Sequence, residues 1–514
     1  MAVSIRSFRL IVLILLWFVH PLLAERINQE GRILGPVPVV TNTVLFNTTN
    51  ADLIVSALQI FPTTNPWNED ISRRPLLPNS DAMIAQINAD VPSASNRKLR
   101  LFQEMNFLLV PTNQPLVTIS FLGGYPDESD LNGGVEPSGL YPIATNLPIE
   151  GWPTGTGLTL ANHQQTDDGG DRHSITVQPG RGLIFETWRT LRNGANWHAT
   201  NGAIFNLNSN ALRPDTWTSG DAAGFPMFPA LVRYDECQRG MVEHACRLVV
   251  VKSRNQHIYP ATHHAGSVSA TQTNYPAMGQ RLRLKASYAI PANWTKEEKA
   301  LLLGLKKYGA MVSDNSSSFF SISITPDDRW GSAFNNIASA GIAITNFEVI
   351  LTTGPTEGPR SAGAPTANAG DDATATIGVP FQLQGLVNST TGTTNLWKLY
   401  SGPTNLAFAN ASLTNTTVTF NTNGIFTLML SGDDGVHAVA YDAVVITAAP
   451  PPIAVAISRS GTNVHLNWTG GTAPFVLERT DSFPASWNGV VTTSLRSATI
   501  PLTNAGRCFR VRGF

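Results

Sequence analysis

Residues 173–188 read HSITVQPGRGLIFETW, and this stretch holds two short runs that are typical of β-strands. In HSITVQ, polar and apolar residues alternate, which predicts one buried and one polar face. The same alternation is predicted for RLRLKASY, residues 281–288. Other strand-like runs before residue 352 are FLLVP, LVTISFL, GLIFETW, GAIFNL, CRLVVVK and FEVIL. They predict a mainly β central unit, a large β-sandwich or jelly-roll-like domain with a few helices.

Helical signals are few in the central unit. An Asn-Ser pair at residues 79–80 precedes DAMIAQI, in which Ile84 and Ile87 share one face. Residues 295–309 open with a T-x-x-E capping box and close at a glycine, which predicts a second helix. A third helix is predicted over residues 329–340. These helices are expected to cover the sheets.

The amino-terminal segment has the pattern of a secretory signal peptide. Arg6 and Arg9 precede the apolar run Leu10–Val19, and the segment ends on the small residue Ala24. We therefore expect a secreted, extracellular protein with no membrane insertion. The formal net charge is −1 and only 14% of residues are charged, so no basic field points to nucleic acid or anionic membranes.

Two proline-rich breaks, at residues 353–365 and 448–452, divide the chain. The predicted organisation is a signal peptide (1–24), an amino-terminal extension (25–55), a central catalytic or glycan-binding domain (56–353), a linker (354–364), a first β module (365–448), a linker (449–452) and a second β module (453–514). Both modules show short strand-like runs at regular spacing, which predicts small immunoglobulin-like β-sandwiches.

The first module resembles a PKD-type domain in its segments PTANAGDDATATIGVPFQLQG, LWKLYSGP and GIFTLMLSGDDG. The resemblance implies that Trp397 is the core aromatic and that Asp433 and Asp434 lie in a late hairpin turn. That acidic pair is either an ordinary turn or a calcium ligand set, so calcium stays unassigned. The second module resembles a fibronectin type III-like domain, with Trp468 as its core residue.

The central unit resembles a family of secreted microbial proteins to which no settled activity attaches. The motifs that carry this resemblance are NPWNEDIS, DRHSITV, SNALRPDTWTS, LVRYDE and RLRLKAS. The resemblance implies one domain over these motifs. It carries over no catalytic residue, so candidates for chemistry come from the residues themselves.

The first group of candidates lies on the opening stretch. Alternation predicts that Asp171 and His173 share one strand face, where they can act as a base and its orienting partner or form a strand-end hydrogen-bond network. Glu186 and Trp188 are predicted to face the same way, as in sugar clefts where a ring stacks on the pyranose, or as an ordinary core tryptophan with an edge glutamate.

The second group lies in residues 203–247, a region dense in charged and aromatic residues. A strand over residues 233–236 followed by a hairpin turn would bring Tyr234 or Glu236 near His244. The same hairpin would bring Cys237 and Cys246 together, and both a disulfide and free thiols remain open. The alternative is a buried Arg–Asp pair that holds the hairpin. The residues predicted to contact substrate are Trp188, Arg213, Trp217, Asp221, Arg233, His263 and Arg281.

Two chemistries fit these residues. A carboxylate pair, such as Glu236 with Asp221 or Glu186, can hydrolyse a glycoside. A set of Tyr234, His244 and an arginine can instead abstract a proton beside a uronate, as polysaccharide lyases do. The expected partner is an extracellular glycan, no cofactor is required, and no metal site is assigned. The alternative function is non-catalytic glycan binding or cell-surface adhesion.

Overall fold

The chain folds mainly into β-strands with a few helices, which confirms the predicted fold class. The computed structural model describes residues 25–154, 157–357, 362–480, 486–501 and 508–513. The predicted signal peptide, residues 1–24, lies outside the described residues. In the part of the chain that is described, no helix combines the length and the apolar character needed to cross a membrane.

The central unit contains helices and strands that alternate irregularly along the chain. Its helices are α1 (Thr49–Ser56), α2 (Ser80–Asp90), α3 (Leu160–Gln165), α4 (Tyr234–Arg239), α5 (Lys296–Lys307) and α6 (Asn335–Ser339). Its strands are β1 (Val44–Leu45), β2 (Leu99–Gln103), β3 (Leu108–Leu109), β4 (Val117–Phe121), β5 (Ser138–Tyr141), β6 (Ser174–Gln178), β7 (Leu183–Trp188), β8 (Leu191–Asn193), β9 (Asn196–Ala199), β10 (Asn201–Asn206), β11 (Cys246–Val250), β12 (Arg281–Leu284), β13 (Ala310–Asn315), β14 (Phe320–Ile324) and β15 (Phe347–Val349).

These strands form three sheets. The first has the order β1-β3-β6-β7-β10, the second β15-β12-β13-β11-β14-β2, and the third β5-β4-β9-β8. The second sheet is mixed, because β11 pairs with β13 and β14 pairs with β2 in parallel. Its order is important for function, since it places β13, β11, β14 and β2 side by side.

The predicted alternation of buried and polar faces is wrong for the opening stretch. Every residue of β6 is buried, because the first sheet lies between two apolar cores. Ile175 and Ile184 belong to the main core, whereas Phe185 belongs to a second, smaller core. The prediction also fails for β12, where Arg281 is buried and donates to the carbonyl oxygens of Pro66 and Tyr308.

The predicted helices are largely confirmed. Helix α5 begins with the capping box, in which Thr295 and Glu298 bond each other's backbone N–H. In α2, Ile84 and Ile87 are buried on one face as predicted. The third predicted helix is shorter than expected, because a 3₁₀ turn at Asp328–Trp330 precedes α6.

The carboxy-terminal part forms two β-sandwich modules. The strands of the first are β16 (Thr366–Asn368), β17 (Ala373–Thr376), β18 (Phe381–Gln382), β19 (Leu386–Asn388), β20 (Thr394–Ser401), β21 (Leu406–Phe408), β22 (Thr417–Phe420), β23 (Gly424–Asp433) and β24 (Ala440–Ala449). Those of the second are β25 (Ala454–Ser460), β26 (Asn463–Thr469), β27 (Phe475–Thr480), β28 (Asn488–Thr493), β29 (Ser497–Pro501) and β30 (Cys508–Arg512). Trp397 and Trp468 each lie in the apolar core of their own module.

Candidate functional site

A row of polar side chains crosses four neighbouring strands of the second sheet. Arg247 on β11 donates from Nη2 to Asp314 Oδ2 on β13 at 2.8 Å and from Nη1 to Ser323 Oγ on β14 at 3.2 Å. Ser323 Oγ in turn donates to Oε1 of Glu104, which follows β2, at 2.6 Å. Arg247 therefore connects Asp314, on one side of β11, with Glu104, which lies beyond β14 on the other side.

A loop and the start of β6 meet this row. Arg247 Nε donates to Asp221 Oδ1 at 2.6 Å, and the other oxygen of this buried carboxylate has no hydrogen-bond partner. His173 Nε2 bonds the carbonyl oxygen of Gly220 at 2.7 Å, while its Nδ1 bonds Glu150 Oε2 at 2.7 Å. His173 thus joins the Asp221 loop to Glu150.

Glu150 and Glu104 lie on adjoining segments. The backbone N–H of Gly151, the next residue after Glu150, donates to the carbonyl oxygen of Glu104 at 2.9 Å. The backbone N–H of His173 donates to Glu150 Oε2 at 3.1 Å. We call the assembled group the carboxylate centre; it consists of Glu104, Glu150, His173, Asp221, Arg247 and Asp314.

The inner side chains of the carboxylate centre are buried, and its outer carboxylates are partly exposed. His173, Asp221 and Arg247 are buried, whereas the side chains of Glu150 and Asp314 keep 16% and 27% of their exposure. Glu104 is also half-buried. Of the carboxylates that keep some exposure, Glu150 contacts His173 and Asp314 contacts Arg247, whereas Glu104 is linked to Arg247 through Ser323.

The pKa values of the two glutamates move in opposite directions. Burial raises the pKa of Glu104, and the negative charge of Glu150 raises it further against the pull of Arg247. Burial alone would raise the pKa of Glu150 too, but the charge and hydrogen bonds of His173 outweigh it and lower that pKa. Two nearby carboxyl groups with diverging pKa values are the pattern of an acid and its ionised partner.

The buried members of the centre are also shifted. Burial would lower the pKa of His173, but the charge and hydrogen bond of Glu150 raise it to about 9, so the imidazolium persists at neutral pH. Burial raises the pKa of Asp221 to about 7 against the opposing charge of Arg247. Asp221 is therefore a buried carboxyl group with a raised pKa beside two cationic side chains.

The first group of predicted site residues is divided between surface and interior. Arg172 has a left-handed backbone with φ of 50°, so β6 begins only at Ser174 and the predicted shared face of Asp171 and His173 is wrong. Asp171 is exposed, and its Oδ1 accepts a hydrogen bond from Trp188 Nε1 at 3.2 Å. It still lies close enough to raise the pKa of His173.

Glu186 is fully buried and does not reach a cleft. Its two carboxylate oxygens accept hydrogen bonds from the backbone N–H groups of Met227 and Phe228 at 2.8–3.0 Å. Burial raises its pKa to about 7, against these two donors. This geometry makes Glu186 a support for the 227–228 turn beneath the carboxylate centre.

The second group of predicted residues lies elsewhere. Residues 234–239 form helix α4, so the predicted strand and hairpin are wrong. Arg233 Nη2 contacts Glu236 Oε1, and Glu236 Oε2 bonds His244 Nε2 at 3.0 Å, with all three side chains buried. Burial would raise the pKa of Glu236, but Arg233 and His244 lower it to about 2. We call Arg233, Glu236 and His244, with Asp235 and Arg239, the α4 cluster.

The α4 cluster is closed by the amino-terminal extension. Arg32 donates to Glu243 Oε2 at 2.9 Å and to the carbonyl oxygen of Ser56 at 2.5 Å. Asn28 also donates to Glu243 Oε2, at 3.0 Å. Tyr234, the proposed partner of His244, instead packs on Trp330, with ring centroids 5.2 Å apart, and beneath the guanidinium of Arg329. Tyr234 and His244 therefore contact different residues.

The remaining predicted contact residues have separate surroundings. Arg213 is buried, donates to the carbonyl oxygens of Thr218 and Glu128, and lies 5.4 Å from the ring centroid of Trp217. His263 Nδ1 bonds the carbonyl oxygen of Ala222 at 2.7 Å, which places it beside the Asp221 loop. Arg281 lies on β12 and donates to the carbonyl oxygens of Pro66 and Tyr308, so it connects two segments that are distant in sequence.

The cysteines of the α4 region are free thiols. Cys237 lies in α4 and Cys246 begins β11, so the predicted hairpin between them is wrong, and of the two alternatives left open the structure has the free thiols. Burial raises the pKa of both thiols, which keeps them protonated. Cys508, in the second β module, is exposed.

Asp433 and Asp434, the acidic pair of the first β module, accept hydrogen bonds from the backbone of their own turn. Asp434 Oδ1 accepts from the backbone N–H groups of Val436 and His437, and Asp433 Oδ1 accepts from that of Gly435 at 2.8 Å. This favours the ordinary turn over calcium. Across the described ranges, no group of three or more His, Cys, Asp or Glu side chains has the geometry to hold a metal ion.

Sequence reasoning missed Glu104, Glu150 and Arg247. Each stands alone in its segment, and no fixed spacing connects them. The available signals were weak: Glu104 ends a strand-like run in LRLFQEM, and Glu150 precedes a tryptophan in PIEGW. Asp221 and His173 were predicted, but with partners other than those the fold provides.

The chain matches no protein-family model and no curated protein. Among solved structures it is similar to the PKD domain of human KIAA0319, at 20% identity over 21% of this chain and 100% of that one, with a TM-score of 0.17. A titin multidomain fragment is 13% identical over 29% of this chain and 59% of the fragment, with a TM-score of 0.16. A nucleoside hydrolase-related hypothetical protein from Saccharophagus degradans, associated with carbohydrate metabolism, is 16% identical over 26% of this chain and 35% of that one, with a TM-score of 0.16. These likenesses assign no function to this chain.

Proposed function

We propose that the central unit hydrolyses glycosidic bonds of an extracellular polysaccharide, with Glu104 as the general acid and Glu150 as the ionised carboxylate opposite it. The single observation that carries this proposal is the pair itself: two half-buried glutamates on adjoining segments, one linked through Ser323 to Arg247 and the other bonded to His173. Glycosidases use two carboxyl groups of this kind on either side of the bond that breaks.

The division of labour follows from the surroundings. In this scheme the Glu104 carboxyl, whose pKa is raised by burial, donates a proton to the glycosidic oxygen as the bond to the anomeric carbon breaks. The ionised Glu150 either attacks that carbon or takes a proton from an attacking water, and the separation of the two carboxyl groups in the bound state decides which. His173 holds Glu150 as the anion, and Arg247, which also bonds Asp221 and Asp314, is linked to the acid through Ser323.

A screen against soluble polysaccharides, read by released reducing ends, tests the proposal. We expect Glu150→Gln to lower kcat on a cleaved polymer by about 10²–10⁴-fold, because it removes the ionised group. Glu104→Gln is expected to lose polymer cleavage to the same extent. Glu357→Gln, at an exposed glutamate beyond the central strands, is the matched control and should keep wild-type activity.

An aryl glycoside with a good leaving group separates the two roles. Such a leaving group departs without protonation, so Glu104→Gln should recover activity on it while Glu150→Gln should not. Equal activity of wild type and both variants on every substrate would contradict the proposal. Unsaturated uronates, detected by their absorbance alongside the reducing ends that β-elimination also releases, would replace it with a lyase.

The second candidate function is glycan binding without catalysis. It is favoured by Trp188, whose half-buried indole is held by Asp171 at the surface. Binding that persists with no product from any polymer would support it. In either case the signal-peptide pattern of residues 1–24 supports a proposal of secretion, and the two β modules then act as extracellular accessories.

A further inference from the structure

Five half-buried rings follow one another on the surface of the central unit. Neighbouring ring centroids are 5.7–6.2 Å apart, which is the range of offset and edge-to-face aromatic pairs. Each of the five residues keeps part of its surface in solvent. In spatial order, the members of this ring strip are Trp188, Tyr125, His263, His264 and His257.

Three separate segments build the strip. Trp188 ends β7, Tyr125 follows β4, and the histidines belong to the connection between β11 and β12. The three imidazoles lie nearly parallel, with interplanar angles of 10° and 20°. Rings brought together from distant parts of the chain at a solvent boundary need a reason, because burial in a core does not account for them.

Each end of the strip carries an exposed carboxylate. Asp171 accepts from Trp188 Nε1 at 3.2 Å, and Asp215, whose side chain is 82% exposed, bonds His257 Nε2 at 2.8 Å. These bonds use only part of the acceptor capacity of a carboxylate. Both groups therefore retain acceptor positions that a sugar hydroxyl can fill.

The strip lies beside the carboxylate centre. His263 bonds the carbonyl oxygen of Ala222, the residue after Asp221. At the Trp188 end of the strip, Asp171 is close enough to His173 to raise the pKa of that histidine. A chain that follows the strip thus passes the two loops that also hold the centre.

We infer that the ring strip binds an extended, electrically neutral glycan chain and feeds it to the carboxylate centre. Partly exposed rings at this spacing can contact successive pyranose units, and the flanking carboxylates suit hydroxyl groups. Uronates and sulfates would instead meet Asp171 and Asp215, while the cation next to Trp188, Arg189, is already paired with Asp167 at 3.7 Å. The inference deepens the proposed function and rests on it for the identity of the substrate.

Affinity electrophoresis of the full chain tests this inference. The probes are three soluble neutral polymers, namely hydroxyethyl cellulose, xyloglucan and galactomannan, and two anionic ones, polygalacturonate and chondroitin sulfate. We expect retardation by at least one neutral polymer. Trp188→Ala and His264→Ala should each weaken it roughly tenfold, a factor that corresponds to about 1.4 kcal/mol.

Two controls keep the outcomes distinct. Trp487→Ala removes a half-buried tryptophan from the second β module and should leave retardation unchanged. Glu150→Gln should keep retardation and lose product release, so a failure of the proposed catalysis leaves the binding result standing. Retardation by the anionic polymers only, by none of the five, or by a neutral polymer with no change in Trp188→Ala and His264→Ala would overturn the inference.

Discussion

In the described part of the central unit, the half-buried Glu150 bonds His173 at 2.7 Å, whereas the buried Glu236 bonds His244 at 3.0 Å. In the α4 cluster, Glu236 is also paired with Arg233, and the whole group lies beneath the amino-terminal extension. In the carboxylate centre, Glu150 keeps part of its surface in solvent and stands next to a second carboxyl group.

The difference shows that residue types alone do not distinguish a structural ion cluster from a reactive one. An acid whose charge is fully matched and buried is locked in one protonation state, as Glu236 is with its pKa of about 2. A half-buried acid with a raised pKa, as in Glu104, can exchange a proton with a ligand. Exposure and incomplete pairing are therefore the features that favour the carboxylate centre.

The largest expected change in stability comes from breaking the α4 cluster. Glu236→Gln removes the nearer of the two buried carboxylates beside Arg233, since Asp235 lies 3.7 Å from Arg233 Nε, and it also removes the ionised partner of His244. We therefore expect the free energy of unfolding to fall by about 3–5 kcal/mol. Urea denaturation at pH 7 measures it. Glu150→Gln, at a half-buried site, is the comparison and should cost less. The distinction between the two regions fails if Glu150→Gln proves the more damaging.

The pH dependence of the free energy of unfolding provides a second comparison of the carboxylate centre with the α4 cluster. His173 has its pKa raised to about 9 from an ordinary value near 6.5, so its contribution is complete below pH 6.5 and is lost as pH rises through 9. The expected loss is on the order of 3 kcal/mol. Thermal unfolding from pH 6 to pH 10 measures it, with His173→Gln as control. Parallel curves for wild type and His173→Gln would refute this assignment.

A smaller effect is expected where the extension covers the α4 cluster. Arg32→Ala removes a half-buried ion pair with Glu243 and a hydrogen bond to Ser56, and it should cost about 1 kcal/mol. Urea denaturation again provides the readout, and the exposed Arg181→Ala serves as a neutral control. An Arg32→Ala cost as large as that of Glu236→Gln would mean that the extension is part of the cluster's core.

The smallest perturbation is a thiol count, which leaves the fold intact. Cys237 and Cys246 are buried and Cys508 is exposed. A thiol reagent should therefore titrate one group in the native protein and all three cysteines of the chain in denaturant. Only one reactive thiol in non-reducing denaturant would indicate a Cys237–Cys246 disulfide and a different geometry around α4.

The sequence predicts local structure here better than it predicts the site. The capping box at Thr295 is a local signal and α5 obeys it. Helix α4 also has local signals, since Asp235 and Glu236 lie in its first turn and Gly240 ends it with φ of 103°, but the alternation of residues 233–236 fits a strand equally well. Burial of both faces of β6 depends on the second core, which no local pattern reveals.

The site itself is a product of strand order. Arg247 reaches Asp314 and Ser323 only because β11 lies between β13 and β14, and Glu104 joins because β2 is next. Crossings of this kind connect residues more than two hundred positions apart. A single sequence shows which residues are present, but it does not show which of them become neighbours in the fold.

The most direct test of the account is a comparison of kcat on one cleaved neutral polymer for Glu104→Gln, Glu150→Gln and Glu236→Gln, each corrected for its folded fraction. The account predicts a loss of about 10²-fold or more for the first two. The folded fraction of Glu236→Gln should turn over at the wild-type rate. Folded Glu236→Gln without activity, beside active Glu104→Gln and Glu150→Gln, would contradict the account and make the α4 cluster the catalytic one.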